Sequence, residues 1–87
     1  MNVIELGAMV GPAADIEVIA VARVDRTTGV FVGRSYEKDL RTPKFVISHF
    51  DLGADWWHSG DYSAKNEEAA LSSFVGRIIP GAVVFRP

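Results

Sequence analysis

Residues 15–39 read D-I-E-V-I-A-V-A-R-V-D-R-T-T-G-V-F-V-G-R-S-Y-E-K-D, two apolar, β-branched runs flanking a short polar segment that ends in glycine. Such runs, 16–24 and 30–36 around a turn at 25–29, specify a β-hairpin: β-branched side chains suit a pleated, half-buried surface, and glycine gives the turn its backbone freedom. In the first run both alternating sets are apolar, Val18, Ala20, Ala22 and Val24 against Ile19 and Val21. A strand of that kind is covered on both faces, which places it centrally in its sheet. The second run is mixed, with Arg34 and Ser35 before Tyr36, as expected nearer an edge.

The rest of the chain supplies supporting elements. Residues 2–6 (N-V-I-E-L) predict a short strand closed by Gly7, which Ala8, Met9 and Val10 can extend, and Gly11-Pro12 makes a turn. Pro43 suits the entry to a new element, and residues 44–50 then alternate as a third antiparallel strand. Asp51 is a candidate N-cap for a short helix over 52–58, ended by Ser59-Gly60. Ser63 is a candidate N-cap for a longer helix, with Glu67 and Glu68 near its positive end. Leu71, Phe74, Val75, Ile78 and Ile79 recur at helical spacing as one apolar stripe, and Pro80-Gly81 stops the helix. Gly76 inside that helix implies a close packing contact, since glycine there costs roughly 1 kcal/mol against alanine. Residues 82–85 (A-V-V-F) read as a last buried strand.

At 87 residues and 9.5 kDa the chain is predicted to form one small domain. A domain of this size buries only about 60–65 % of its unfolded surface, so a partner or a second copy would add to its stability. A net charge of −2, with the nine basic residues scattered, gives no electrostatic reason to bind a phosphate backbone tightly. The absence of cysteine removes disulfides and thiolate chemistry. No apolar run approaches a membrane span, and the start lacks a signal-peptide pattern, so a cytoplasmic location without membrane contact is expected.

Four stretches carry a resemblance to a known family. The segment A-D-I-E-V-I-A-V-A-R-V-D-R-T-T-G is similar to the second strand and D-x-x-T-G turn of the phage and bacterial 3′–5′ exonucleases of the DEDD group, whose fold is ribonuclease H-like. V-G-R-S-Y-E-K-D-L resembles that family's third strand; I-S-H-F-D-L-G-A-D-W-W resembles its helix bearing a Trp-Trp pair; and E-A-A-L-S-S-F-V-G-R-I is similar to the helix that follows. The resemblance covers most of the chain. It also shows a deficit, because the family's first strand carries Asp-x-Glu, whereas the aligned N-V-I-E-L-G has Asn2 and Ile4 at the ligand positions. Two-metal phosphodiester cleavage needs several carboxylates converging on cations about 4 Å apart, and Glu5 alone does not provide them. Reading Asp15-Ile16-Glu17 as the Asp-x-Glu pair leaves no room for a separate first strand. What the resemblance implies is therefore a truncated exonuclease scaffold with no catalytic residues, no metal site and no cofactor.

Residues 49–61 concentrate His49 and His58 with Asp51, Asp55 and Asp61, but without zinc-ligand spacing. Serines 48, 59 and 63 lack a nucleophile elbow. Trp56-Trp57 is the more informative pair, since neighbours on a helix point about 100° apart and one indole can enter the core while the other meets a partner. Base stacking would call for a basic groove. Arg23, Arg26, Arg34, Lys38, Arg41 and Lys44 are instead interleaved with Asp25, Glu37 and Asp39.

These readings give an α/β expectation: a truncated ribonuclease H-like mixed sheet with a central antiparallel hairpin, one short and one long helix, an open edge and part of one face uncovered. The expected function is non-catalytic protein binding by a phage-encoded chain, through Trp56, Trp57, His58 and Tyr62. The partner would be a host protein that is inhibited or redirected, or a second copy of the chain. The alternatives are a metal-dependent 3′–5′ exonuclease completed across a dimer, and a nucleic-acid-binding accessory domain.

Overall fold

A computed structural model describes residues 3–36, 44–57, 60–78 and 83–85. In chain order the elements are β1 (Met9–Val10), β2 (Ile16–Arg23), β3 (Thr28–Ser35), β4 (Phe45–Asp51), α1 (Glu67–Gly76) and β5 (Val83–Phe85). The strands form one sheet in the order β1-β2-β3-β4, and β5 pairs with β2. β2 is central, as its apolar character implies: β3 runs along one side, while β1 and β5 share the other.

The hairpin forms where the sequence places it, with Arg23 opposite Gly29. Its turn is organised by the Asp25 carboxylate. One oxygen accepts from the Thr27 amide at 2.8 Å, the Thr28 amide at 2.7 Å and the Thr28 hydroxyl. Those bonds stabilise the charged form and hold the carboxyl down to about 2, the Thr28 hydroxyl contributing most. Arg23 steadies the same turn by donating to the carbonyls of Asp25 and Arg26.

Two apolar clusters cover the sheet, one per face. On one, Ala20, Ala22, Val30, Val32, Phe45 and Ile47 pack with Ala70 and Phe74 of α1. On the other, Val18, Phe31, Val46 and Phe50 pack with Ile4 and Val10, and Trp57 closes over them. A bulge between Val18 and Ala20 explains how β2 serves both. An extra residue there reverses the in-and-out alternation, so Ile16 and Val18 belong to the second cluster while Ile19, Ala20 and Ala22 belong to the first.

Several expectations are corrected. Every pairing among the described strands is antiparallel, so the sheet is not mixed. No short helix forms over the described part of 52–58. Gly53 takes a left-handed φ of 85°, the Leu52 amide donates to Thr27 at 2.8 Å, and the Ala54 carbonyl accepts from Ile4 at 3.0 Å, so long-range bonds hold this segment as a turn. Residues 3–6 form no strand; they turn at Gly7, and Ile4 covers part of the second face while Leu6 stays exposed beside it.

The long helix is capped by Asn66, whose side chain accepts from the Ala69 amide at 2.8 Å. Ser63 is occupied elsewhere, its hydroxyl donating to Asp61. The buried stripe centres on Ala70 and Phe74, with Leu71 and Ile78 partly buried, whereas Val75 is 58 % exposed. A Cβ on Gly76 would meet nothing within 4 Å, so no packing contact accounts for this glycine. Pro43, Ile79 and the Pro80-Gly81 stop lie outside the described residues. No helix among the described residues is long and apolar enough to cross a membrane.

Candidate functional site at the outer edge of β4

β4 pairs with β3 along one side only. Val46, Ser48 and Phe50 face Gly33, Phe31 and Gly29 in the register, and the Lys44 carbonyl accepts from Ser35 at 2.7 Å. The intervening Phe45, Ile47 and His49 turn their backbone groups away from β3, as ladder alternation requires. Ile47 exchanges two bonds with Asp61, at 2.9 and 2.8 Å, in an isolated bridge. Among the described residues no strand continues that pairing beside Phe45 or His49.

Asp61 fixes the segment lying on this edge. One carboxylate oxygen accepts from the Ser63 amide at 2.9 Å and hydroxyl at 2.6 Å, and the other pairs with Arg77 at 3.3 Å. The Ser63 hydroxyl, then the Ser63 amide and the Arg77 charge, hold the Asp61 carboxyl below the usual carboxylate range. The C-terminal end of α1 and the outer edge of the sheet are thereby tied together.

The sequence-derived contact residues divide around this edge. Trp57 is partly buried, edge-on to Phe31 with ring centroids 5.1 Å apart, so most of its role is packing. Trp56 is 49 % exposed and lines a cleft of about 180 Å³ with Thr28, His49 and Asp51. Tyr62, 54 % exposed, lines a second cleft of about 340 Å³ whose other walls include Ile16, Lys44, Phe45 and Val46. His58 lies outside the described residues. The two exposed aromatics thus stand beside opposite halves of β4. Sequence reading missed the parts played by His49 and Phe45, whose outward-turned backbone depends on the register with β3.

The acidic residues weighed as metal ligands have different surroundings. Glu5 lines a cleft near Leu52, Asp15 lines the cleft beside Tyr62, and Glu17 accepts a 2.7 Å hydrogen bond from the Tyr36 hydroxyl. Among the described residues no group of three or more His, Asp or Glu is placed to hold a metal ion. Of the basic residues, Arg23 donates to two carbonyls of its turn and Arg34 pairs with Glu67 at 3.5 Å, while Lys38 and Arg41 lie outside the described residues.

The class that this fold defines is a small α/β domain, which among the described residues has an antiparallel five-stranded sheet and one helix on a face. Comparison with protein-family models, with curated proteins and with solved structures gave no match.

Proposed function

We propose that this chain is a non-catalytic binding protein that captures a protein partner along the outer edge of β4, with Trp56 and Tyr62 as its principal side-chain contacts. The observation that carries the reading is the placement of two half-exposed aromatics beside a strand edge that is bridged at Ile47. Exposed backbone groups on an edge recruit an added strand or loop, and large aromatics at the ends of such a contact supply most of the binding energy.

The ribonuclease H-like kinship belongs to the same reading and rests on the sequence motifs alone, since the described strands all pair antiparallel and the Trp-Trp segment is not helical. On that kinship the chain is a pseudoenzyme that inhibits or redirects a host protein in the host cytoplasm. The test is affinity capture from host lysate with the wild-type chain beside a Trp56→Ala/Tyr62→Ala variant. A specific partner retained by the first and lost by the second is the expected result. Equal capture by both removes the proposed contact.

A further inference from the structure

A second surface lies away from Trp56 and Tyr62. Residues 4–6, Val21, Arg23, Phe50 and Leu52 enclose a cleft of about 430 Å³. Ile4 and Phe50 are buried at its base, whereas Leu6 and Leu52 are each 39 % exposed. Its two charged residues have opposite signs: Glu5, which makes no ion pair among the described residues, and Arg23, whose guanidinium donates to the carbonyls of Asp25 and Arg26 and makes no ion pair among the described residues.

We infer that this face is a self-association surface and that its occupant is a second copy of the chain. A patch with an apolar centre and one charge of each sign is its own complement about a two-fold axis: Glu5 meets the partner's Arg23, the reciprocal pair forms at the same time, and the exposed leucines close over the centre. A ligand of a single charge would leave one of the two residues facing a like charge or none. The surface shares only Phe50 with the cleft beside Trp56, so dimerisation leaves the β4 edge free for its partner.

Sedimentation velocity of the full chain over a concentration series tests the inference. The expected result is a concentration-dependent species of twice the 9.5 kDa protomer mass. Glu5→Arg and Arg23→Glu should each weaken self-association by on the order of tenfold or more, and mixing the two variants should restore it, because the mixture pairs opposite charges at both contacts. Arg23→Glu also removes two hydrogen bonds of the hairpin turn, so Leu52→Asp serves as an independent variant and should be monomeric with an unchanged circular dichroism spectrum. A wild-type chain that is monomeric at every concentration overturns the inference. So does a dimer indifferent to both Glu5→Arg and Leu52→Asp. Trp56→Ala should leave the dimer unchanged, so failure here is separable from failure of the partner-binding reading.

Discussion

The indole of Trp57 stands edge-on to the ring of Phe31, with planes at 69° and centroids 5.1 Å apart, at the centre of the face opposite the helix. Edge-to-face contact sets the positive rim of one ring against the negative face of the other and adds to the apolar burial. Phe31 meets Phe50 in the same way at 5.7 Å, so Trp57 completes an aromatic group. The adjacent Trp56 stays half exposed.

The tryptophans should therefore respond differently to truncation. Trp57→Ala should lower the unfolding free energy by roughly 2–4 kcal/mol, near the lower end of the range for a large core aromatic because the indole is only partly buried. Trp56→Ala should cost less than about 1 kcal/mol. Urea denaturation of the two variants decides the point, and a larger loss for Trp56 would reverse the assignment of core and surface.

Asp25 gives the fold a defined acid sensitivity. Its carboxyl titrates at about 2 in the folded chain against an ordinary value of 3.8. A group titrating lower when folded adds stability above its unfolded value and loses it as pH falls through the folded one. The Asp25 contribution should be complete above about pH 4 and should fade toward pH 2. The lowered Asp61 carboxyl acts in the same direction. In Asp25→Asn the denaturation midpoint should change less over this interval than in the wild type; an identical acid dependence would mean that the Thr27 and Thr28 bonds do not stabilise the turn.

Two glycines make an opposed pair. A Cβ on Gly33 would collide with Ile16 and approach Val46 to 2.9 Å within the sheet. Gly33→Ala should thus destabilise by about 1–3 kcal/mol through overpacking. Gly76→Ala meets open space and should be neutral or stabilising by up to about 1 kcal/mol. Thermal unfolding of both variants measures the contrast.

Much of the fold is legible because local chemistry determines it. The β-branched runs, the Asp25 turn and the alternation through Phe45 and Ile47 specify β2, β3 and β4 without outside help. Parity along β2 is not legible, since the bulge at Ile19 assigns even-numbered residues to opposite faces and depends on the register with Gly33 and Val32. The turn at Leu52 is hidden for a related reason: its backbone partners, Thr27 and Ile4, lie far away in sequence. At the site, the aromatic pair is visible in the sequence, but the division of labour between Trp56 and Trp57 comes from Phe31.

Helix capping offers a direct comparison between two candidate residues. Asn66→Ala should cost about 1 kcal/mol, because it leaves the Ala69 amide without its cap. Ser63→Ala should leave helix content unchanged and instead loosen the segment at Asp61, whose carboxylate the Ser63 hydroxyl meets at 2.6 Å. Backbone amide exchange in α1 separates these outcomes, and faster exchange there in Ser63→Ala would make Ser63 the cap.

Amide hydrogen exchange of the wild-type chain, free and saturated with the captured partner, tests the β4 edge most directly. The expected result is new protection centred on His49, the exposed outward-turned position beside Ile47. Protection confined to α1, with the His49 amide unchanged, would contradict the account.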